Sequence, residues 1–546
     1  MVSQESGPER EPQRPIPAVP QQPAPQVPPQ PVHQPLPGNP YAEPDPPART
    51  GSSSRARALG IGAAVLALAL VGGGVFLATR GDGDGRGDGS REPAAAPPAS
   101  SQGPESSTGG GGQETAGPGS DDDREGRGID VNAGRKPGEA KAWLGFDGVK
   151  LPGKGTILYD LWREGDIVAQ ATYDEVTAFK SADGTKAWSV RLPGPVCDTP
   201  VNASPDGKVV VVYTTSKAKQ SVKCDQLQMI DLKTGKKGWH KKLVEHDLSD
   251  GTTMTHVAIS GSTVMVDQDS TAHAYRVGDG KRLFSTKPQR EGACFLKGVA
   301  GGSRLLQMQT CAAMTSTQHG RLRKLDPRTG KVEWTYRSKK GWSIDKVYSV
   351  DPVVVSLRKR NDYDNWAVAA VDDQGRQRSW IGLGGGKTEF EQCAGAGDSG
   401  EGVQNCPGGV VEGDTLYLGS KPKDSIGPNK LVAFDLRNGK VKWSESWGGR
   451  QLQPVPVSGE GRPGVIAYAR PSGEKNGRVL RFGPGGGKPD VLLRHTSAAR
   501  KTETFMFAGH TLYADGRFYV TSSRLDGKSH GAEGDDGKGR MLSYGR

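Results

Sequence analysis

A segment of nine residues recurs in this chain, with drift, about every fifty residues. Its clearest copy is Asp326-Pro-Arg-Thr-Gly-Lys-Val-Glu-Trp334. The residues on either side of its turn alternate between apolar and polar, as in half-buried β-strands. Between them the Asp can hydrogen-bond to the turn backbone, and the Gly can adopt the left-handed conformation that closes a tight hairpin. Each copy is therefore predicted to be a β-hairpin.

Aligned on the turn glycine, the copies occur at seven positions. The glycines are Gly184, Gly235, Gly280, Gly330, Gly375, Gly439 and Gly487, and successive ones lie 51, 45, 50, 45, 64 and 48 residues apart. A period near fifty is typical of a four-stranded propeller blade, whereas helical repeats of the common kinds recur every 33 or 34 residues. The repeat predicts an all-β chain that folds as a β-propeller.

The copies resemble the PQQ-like propeller family, whose blades carry Ala-x-Asp-x-x-Thr-Gly-x-x-x-Trp on their outer two strands. Examples are Met229-Ile-Asp-Leu-Lys-Thr-Gly235 and Ala433-Phe-Asp-Leu-Arg-Asn-Gly439, and the resemblance covers residues 141–546. It implies that the aromatic residues of the repeat dock between neighbouring blades. These residues are Trp143, Trp188, Trp239, Phe284, Trp334 and Trp443. The family includes quinone-dependent dehydrogenases, a lipoprotein of outer-membrane assembly and sensor domains of receptor kinases, so the resemblance indicates a fold and no single function.

The number of blades follows from the third strand of each repeat. Eight such strands can be counted, beginning near residues 176, 227, 272, 320, 367, 431, 478 and 541. The eighth is followed by no fourth strand, but Lys141-Ala-Trp143 near the other end reproduces Lys186-Ala-Trp188 of a fourth strand. We expect the N-terminal strand to complete the last blade, which removes the free edges of the ring. The prediction is an eight-bladed propeller of four-stranded antiparallel blades.

Three segments of different composition precede the propeller. Residues 1–57 are rich in proline and have too few apolar residues to bury a core, so we predict a disordered tail. Residues 58–79 are an uncharged run of 22 residues, long enough to cross a bilayer. Residues 80–140 are rich in Gly, Ser, Pro and Asp and are predicted to be a linker. A cleaved signal peptide is the alternative for 58–79, but it does not fit a preceding tail of 57 residues.

The orientation of this predicted signal anchor is not decided by its flanking charges. Arg49, Arg55 and Arg57 on one side are matched by three arginines on the other. Cysteine usage does decide it, because all six cysteines lie within 141–546 and an even number there suits an oxidising exterior. We therefore expect a single-pass protein of the cell membrane with a cytoplasmic tail and an extracytoplasmic propeller.

Six cysteines allow fifteen pairings, and the blade topology narrows them. In an up-and-down blade the first strand begins, the second ends and the third begins at one face. The pairs Cys197–Cys224, Cys294–Cys311 and Cys393–Cys406 each occupy such positions within one blade. We predict these three disulfides.

The loops at that same face are rich in basic residues, and residues 141–546 carry a net charge of about +16. The basic residues predicted to bind a partner are Lys217, Lys219, Lys223, Arg290, Arg358, Lys359, Arg360, Lys421, Lys423, Arg500 and Lys501. Together they could present a positive rim to envelope proteins, an anionic envelope polymer or lipid headgroups. The alternative is that they only keep the loops solvated, since the opposite turns also carry lysines and arginines.

No catalytic, metal or cofactor site is predicted. The nine histidines are scattered, no Gly-x-Ser-x-Gly elbow occurs, and no two cysteines are adjacent. The quinone dehydrogenases that the chain resembles need a vicinal cysteine pair beside their cofactor. The sequence thus favours a non-enzymatic, membrane-anchored propeller that binds, senses or scaffolds at the bacterial cell envelope, with no nucleic-acid partner. The alternative function is a degenerate quinone-dependent dehydrogenase, and the oligomeric state is not predicted.

Overall fold

The computed structural model describes residues 129–146, 148–149, 151, 155–215, 223–243, 255–268, 271–286, 294–384, 390, 392–393, 402–404, 406–422, 424, 427–458, 463–506, 509–525 and 539–546. All of them lie in one compact unit, Gln113–Arg546. The predicted tail (1–57), the predicted anchor (58–79) and residues 80–128 of the predicted linker lie outside the described residues. Within the described ranges, no helix combines the length and the apolar character that a membrane span requires.

Short β-strands follow one another in groups of four along most of the unit. Strand β1 (Lys141–Gly145) comes first, and the next groups are β2 (Thr156–Glu164), β3 (Ile167–Thr172), β4 (Glu175–Lys180) and β5 (Lys186–Arg191); β6 (Val196–Asp198), β7 (Lys208–Tyr213), β8 (Gln226–Asp231) and β9 (Lys237–Lys242); β10 (Val257–Ser260), β11 (Thr263–Gln268), β12 (Thr271–Arg276) and β13 (Arg282–Thr286); and β14 (Cys294–Ala300), β15 (Leu305–Cys311), β16 (His319–Leu325) and β17 (Val332–Arg337).

The second half continues in the same way. Its elements are β18 (Trp342–Val350), β19 (Val353–Lys359), β20 (Asp362–Val371) and β21 (Gln377–Gly382); β22 (Gly409–Glu412), β23 (Thr415–Gly419), β24 (Leu431–Asp435) and β25 (Val441–Glu445); β26 (Leu452–Pro454), β27 (Val457–Ser458), β28 (Val465–Ala469), β29 (Arg478–Gly483) and β30 (Gly486–Arg494); and helix α1 (Arg500–Phe505), β31 (Thr511–Ala514), β32 (Arg517–Thr521), β33 (Arg524–Leu525) and β34 (Met541–Gly545).

Most groups form a four-stranded antiparallel sheet in sequence order, such as β6-β7-β8-β9 and β10-β11-β12-β13. Two short strands are added at sheet edges, β33 beside β2 and β27 in parallel beside β31. The sheet of the fourth group is joined to that of the fifth by one parallel bridge between His319 and Trp342. The last sheet has the order β1-β34-β32-β31, with Lys141 opposite Gly545, so the first strand completes it. The expected pairing between the two ends is therefore present, and the succession of four-stranded sheets is that of a β-propeller.

The hydrophobic core lies between neighbouring sheets. Strand β7 shows why, since its run Val209, Val210, Val211 and Val212 is apolar at every position and fully buried. Successive side chains of a strand point to opposite sides. Val209 and Val211 pack in one cluster with residues of β3 and β4, while Val210 and Val212 pack in another with residues of β10 and β11. A strand buried on both faces is thus continuously apolar rather than alternating.

The turn between the third and fourth strands explains the sequence repeat. Asp326 accepts hydrogen bonds through Oδ1 from the backbone N of Thr329 at 2.8 Å and from Thr329 Oγ1 at 2.9 Å. These bonds from Thr329 hold the pKa of Asp326 below its usual value. Gly330 then follows with a φ of 72°, in the left-handed region. The Asp and Gly of this copy therefore hold a turn, as the sequence predicts.

The aromatic residues of the repeat lie at the seams between sheets. Four indole nitrogens donate to a backbone carbonyl in the next sheet along the chain: Trp143 to Ser181 (2.9 Å), Trp188 to Leu232 (3.1 Å), Trp239 to Val277 (2.6 Å) and Trp443 to Pro484 (2.9 Å). A Cβ atom on Gly184 would lie 2.6 Å from the Trp143 indole. Phe284 lies against Gly330 in the same manner. At these turns the glycine therefore also makes room for the aromatic ring of the preceding sheet.

Trp334 departs from this pattern. Its ring lies against Gly375, but its buried indole nitrogen has no hydrogen-bond partner. The reason is a shorter turn in the next sheet, where Gly375 N bonds to the carbonyl three residues back, that of Asp372. In the regular turns the corresponding bond spans four residues, as from Gly330 N to Asp326 O. Because the turn at Gly375 is one residue shorter, it lacks the backbone carbonyl that accepts the indole N–H in the regular turns.

The packed part of the chain begins before residue 141, the boundary that the sequence indicated. Val131 is buried against the core, and its carbonyl accepts a hydrogen bond of 2.7 Å from Thr496 Oγ1. Asn132 bonds through its side chain to both the N and the O of Ala142, at 2.8 and 2.9 Å. These contacts hold residues 131–132 beside β1.

Candidate functional site on the cysteine face

One face of the propeller holds every disulfide. Because neighbouring strands are antiparallel, the connection from each sheet's fourth strand to the next first strand lies at the same face as the turn between the second and third strands. We call this the cysteine face; it comprises the connections that precede β6, β10, β14, β18, β22, β26 and β31 and the turns β7–β8, β11–β12, β15–β16, β19–β20 and β23–β24. The disulfides join Cys197 to Cys224, Cys294 to Cys311 and Cys393 to Cys406, the pairs that the blade topology predicts.

The described members of the predicted basic set also lie at this face. They are Lys223 before β8, Arg358 and Lys359 at the end of β19, Arg360 in the turn that follows, Lys421 after β23, and Arg500 and Lys501 in α1. Lys217, Lys219, Arg290 and Lys423 lie outside the described residues. The structure brings Arg358, Lys359 and Arg360 together and places α1 in a different connection.

Acidic side chains accompany these cations. Arg358 Nε lies 3.0 Å from Asp345 Oδ2, and Arg500 Nη2 lies 2.6 Å from Glu474 Oε2. Such partly exposed pairs contribute little to stability, but they lower the local positive potential. The sequence did not predict these pairs because the acids lie elsewhere in the chain, Asp345 in β18 and Glu474 in the β28–β29 turn. The face is therefore a surface of mixed charge with a cationic excess, and not a bare positive rim.

Large apolar side chains are exposed at the same face. Phe295 is 58% exposed, Met314 68% and Phe505 54%. They lie at the start of β14, in the β15–β16 turn and at the end of α1. The other exposed large hydrophobics among the described residues are the β-branched Ile129, Val332, Val441 and Val457. Val332 and Val441 begin fourth strands and belong to the opposite face. Aromatic and methionine side chains are the apolar types enriched at protein interfaces, and no sequence pattern indicated that these three are exposed.

The connection that carries Met314 is ordered by its own hydrogen bonds. Met314 N donates to Gln318 Oε1 at 2.9 Å, and Met314 O accepts from Arg360 Nη2 at 2.9 Å. Gly341 N donates to Gln318 O at 2.7 Å, and Arg360 N donates to Gly341 O at 2.8 Å. The β15–β16 turn, the β19–β20 turn and the connection before β18 are thus joined to one another by hydrogen bonds.

A second polar site joins residues of the first strands β2 and β6, the residue before the first strand β10, and β11. The first strands of the sheets line the centre of a propeller. Asp160, Asp198, His256 and Asp267, the inner cluster, are gathered there beside Thr199. Asp198 Oδ2 accepts from Val257 N at 2.7 Å, and Thr199 Oγ1 donates to Asp160 Oδ2 at 3.0 Å. His256 Nδ1 lies 3.2 Å from Asp267 Oδ2.

Burial and mutual charge shift the pKa values of this cluster. Burial raises the pKa of Asp198 to about 7, although His256 and the bond from Val257 act in the opposite direction. Burial lowers the pKa of His256, but the Asp267 carboxylate outweighs it and the pKa is raised to about 9. An imidazolium held between carboxylates is a stable arrangement at neutral pH.

The inner cluster has room for no more than a water molecule. Its cavity measures about 20 Å³, whereas sites for small ligands usually exceed about 300 Å³. Residues 402–404 fill the space beside it: Val347 N donates to Val403 O at 2.8 Å, and Gln404 bonds through both side-chain atoms to Gly301 at 2.8 Å. Within the described ranges no three His, Cys, Asp or Glu residues could hold a metal ion. A quinone cofactor with its metal ion therefore does not fit here.

A third polar group is buried at the seam beside β34. Glu503 of α1 accepts hydrogen bonds from Tyr468 at 2.6 Å and from Tyr544 at 2.8 Å, and lies 2.8 Å from His495 Nδ1. Burial raises the pKa of Glu503, but His495 and the two hydroxyl groups outweigh it and the pKa is lowered. Tyr468 lies in β28 and Tyr544 in β34, so this carboxylate ties α1 to two neighbouring sheets. It is structural, since all four side chains are inaccessible to a ligand.

One protein-family model matches the chain. It is PQQ_2, described as outer membrane protein assembly factor BamB, and it matches residues 151–313 and 298–462. Together these matches cover more than half of the chain. We find no match among curated proteins.

Solved structures with related folds share little sequence with the chain. BamB from Moraxella catarrhalis is 15% identical over 75% of this chain and 99% of that one, with a TM-score of 0.39. The quinohemoprotein alcohol dehydrogenase ADHIIG from Pseudomonas putida HK5 is 12% identical over 75% and 76%, with a TM-score of 0.40. The quinohemoprotein alcohol dehydrogenase from Comamonas testosteroni is 13% identical over 74% and 76%, also at 0.40.

Proposed function

We propose, since the chain belongs to the PQQ-like β-propeller family, that it is a non-enzymatic propeller that binds or scaffolds other components of the bacterial cell envelope through its cysteine face. Residues 58–79 anchor it in the cell membrane as a single span. The tail, 1–57, is cytoplasmic and the propeller is extracytoplasmic. Its partners are envelope proteins or anionic envelope polymers.

An eight-bladed ring is part of this proposal and would provide a closed and rigid platform for binding. The sheets of the described residues account for eight four-stranded units once β1 is counted with β31, β32 and β34. The Trp143 indole then bonds to Ser181 at 2.9 Å as the other seam tryptophans do. A closed ring has no free sheet edge, so binding through the loops does not compete with strand addition.

The extracytoplasmic location is supported by the cysteines and by the uncharged run. All six cysteines are paired in disulfides, which persist in oxidising compartments. Residues 58–79 have the length and composition of a membrane span. Both features come from the sequence, and protease digestion of intact spheroplasts would test them. We expect the propeller to be accessible to protease and the tail to be protected.

The observation that carries the binding function is the distribution of exposed apolar side chains. Within the described ranges, the phenylalanines and the methionine among the large exposed hydrophobics, Phe295, Phe505 and Met314, lie at the cysteine face. The disulfide between Cys294 and Cys311 orders the connections that carry Phe295 and Met314, which reduces the entropy lost when a partner binds. Methionine and aromatic residues are enriched at protein interfaces. Their placement favours a protein partner at this face over the opposite one.

Proximity labelling in living cells tests the proposal with matched substitutions on the two faces. Phe295→Asp with Phe505→Asp alters the cysteine face, and Val332→Asp with Val441→Asp alters the opposite face. We expect the first pair to remove envelope proteins from the labelled set and the second pair to leave the set unchanged. Equal effects of the two pairs would contradict the proposal.

A further inference from the structure

We infer that the β15–β16 turn is a preformed docking site for an acidic peptide segment of a partner protein, with Met314 as its apolar anchor. The inference rests on the proposed function and adds the location of the contact and the chemistry of the partner. Residues 311–318 carry the site, and Phe295 and Arg360 border it.

The backbone at Met314 is strained without any gain from burial. Its φ is 66°, and Ala312 in the same turn has a φ of 49°. Residues with a Cβ atom are disfavoured in this region, where glycine is tolerated. A turn needed only to connect two strands would be more stable with glycine at position 314. The turn instead holds a methionine there with 68% of it exposed. Strain of this kind is characteristic of ligand-binding segments.

The turn is held in this conformation from both sides. Gln318 Oε1 accepts from Met314 N and Arg360 Nη2 donates to Met314 O, both at 2.9 Å. Behind it, the disulfide between Cys294 and Cys311 joins the ends of β14 and β15. A partner therefore meets an ordered turn and loses little entropy in fixing it. The unbranched methionine side chain can still adapt to the apolar surface that it meets.

A second apolar side chain lies within the reach of one peptide. Phe295 follows Cys294, Met314 is three residues after Cys311, and the two cysteine Cα atoms are 3.9 Å apart. The Cα atoms of Phe295 and Met314 are therefore separated by at most about 19 Å. An extended peptide of about six residues spans that distance. Two apolar contacts this close favour a segment of chain over a small molecule.

The charges beside the turn favour carboxylates on that segment. Lys297 Nζ and Arg358 Nε both bond to Asp345, at 2.7 and 3.0 Å. Arg360 adds a guanidinium directly at the Met314 carbonyl. A guanidinium carries five N–H donors, more than one carbonyl can accept, and its fork suits a carboxylate. The partner segment is therefore expected to combine an apolar residue with neighbouring aspartates or glutamates.

The test measures binding of fluorescent peptides of equal length to the purified full chain. One peptide alternates aspartate and leucine, a second lysine and leucine, and a third aspartate and serine. We expect the first to bind at least tenfold more tightly than the others. Met314→Gly should weaken that binding about tenfold while the midpoint of thermal unfolding stays equal or rises. Val441→Ser, an exposed position on the opposite face, should leave binding unchanged.

Three results would overturn the inference: equal binding of the three peptides, equal binding by Met314→Gly and the parent protein, or Met314-dependent binding to phosphatidylglycerol vesicles without peptide selectivity. The last would identify a membrane surface as the occupant. Failure of the inference is separable from failure of the proposed function. If the peptides do not bind but labelling in cells still depends on the cysteine face, only the docking site is wrong.

Discussion

The indole nitrogen of Trp143 donates a hydrogen bond of 2.9 Å to the carbonyl oxygen of Ser181. Trp143 lies in β1, which pairs with β34 of the last sheet, and Ser181 follows β4 in the sheet that comes next in the chain. The seam between the two ends of the chain thus has the geometry of the seams between consecutive sheets.

The contribution of the seam hydrogen bond to stability can be measured by comparing Trp143, which makes the bond, with Trp334, which is buried but does not. Trp143→Phe keeps most of the buried ring but leaves the Ser181 carbonyl without its donor. We expect it to lower the free energy of unfolding by about 1–3 kcal/mol. The loss of unfolding free energy in Trp334→Phe should be smaller by about that amount, since the Trp334 indole nitrogen has no hydrogen-bond partner to lose. Urea unfolding of both variants measures the difference, and equal losses would contradict the seam account.

A second prediction concerns the turn glycine that faces the tryptophan. Gly184 and Gly165 both have a positive φ, 76° and 55°, so alanine strains the backbone at either position. At Gly165 the new Cβ meets nothing within 4 Å, whereas at Gly184 it lies 2.6 Å from the Trp143 ring. We expect Gly184→Ala to cost about 1–3 kcal/mol more than Gly165→Ala. If the two variants unfold at the same urea concentration, the ring does not depend on the glycine.

A third prediction uses the buried carboxylate of Glu503. Its pKa is lowered in the folded state from an ordinary value of 4.5. A lowered pKa means that ionisation stabilises the fold above pH 4.5, and that this contribution is lost as the pH falls below it. Glu503→Gln should therefore destabilise the protein at pH 7, and the difference from the parent protein should shrink in acid. A difference that is constant between pH 7 and pH 3.5 would show that ionisation of Glu503 does not matter.

A fourth prediction concerns Asp198, whose pKa is shifted in the opposite direction to that of Glu503. Its pKa is raised from 3.8 to about 7, because burial disfavours the charged form. A raised pKa favours the protonated fold, so this contribution is present below pH 3.8 and is lost as the pH rises towards 7. Asp198→Asn can still accept from Val257 N and cannot ionise. Relative to the parent protein, it should gain stability as the pH rises from about 4 to 7, measured by thermal unfolding. A fixed difference over that range would contradict the shifted pKa.

The fold was predictable from the sequence because its signals are local. The turn formed by Asp326 and Gly330 and the aromatic residue four positions later depend only on residues close in the chain. The fifty-residue period is the recurrence of this local pattern. The disulfide pairs followed from the blade topology once strand order was known. Where the repeat is degraded, at Gly375, the same local signals failed to show that the Trp334 indole would lose its acceptor.

The candidate site was only partly predictable, because it depends on contacts between distant residues. The basic residues of the cysteine face could be identified from their loops, but not Asp345 and Glu474, which pair with Arg358 and Arg500. The Met314 carbonyl accepts a hydrogen bond from Arg360, 46 residues away, which a local pattern does not reveal. No local pattern distinguishes an exposed methionine from a buried one. The inner cluster and the Glu503 cluster likewise join residues from several sheets.

Photo-crosslinking in living cells tests the central claim, that the cysteine face binds a partner, most directly. A photoreactive amino acid is placed in the full chain at Phe505 on the cysteine face and, in a separate protein, at Val441 on the opposite face. Both positions are more than half exposed, so the two probes are matched. The account predicts a discrete cross-linked product that forms from position 505 and not from position 441. Equal products from both positions, or a product from position 441 alone, would contradict it.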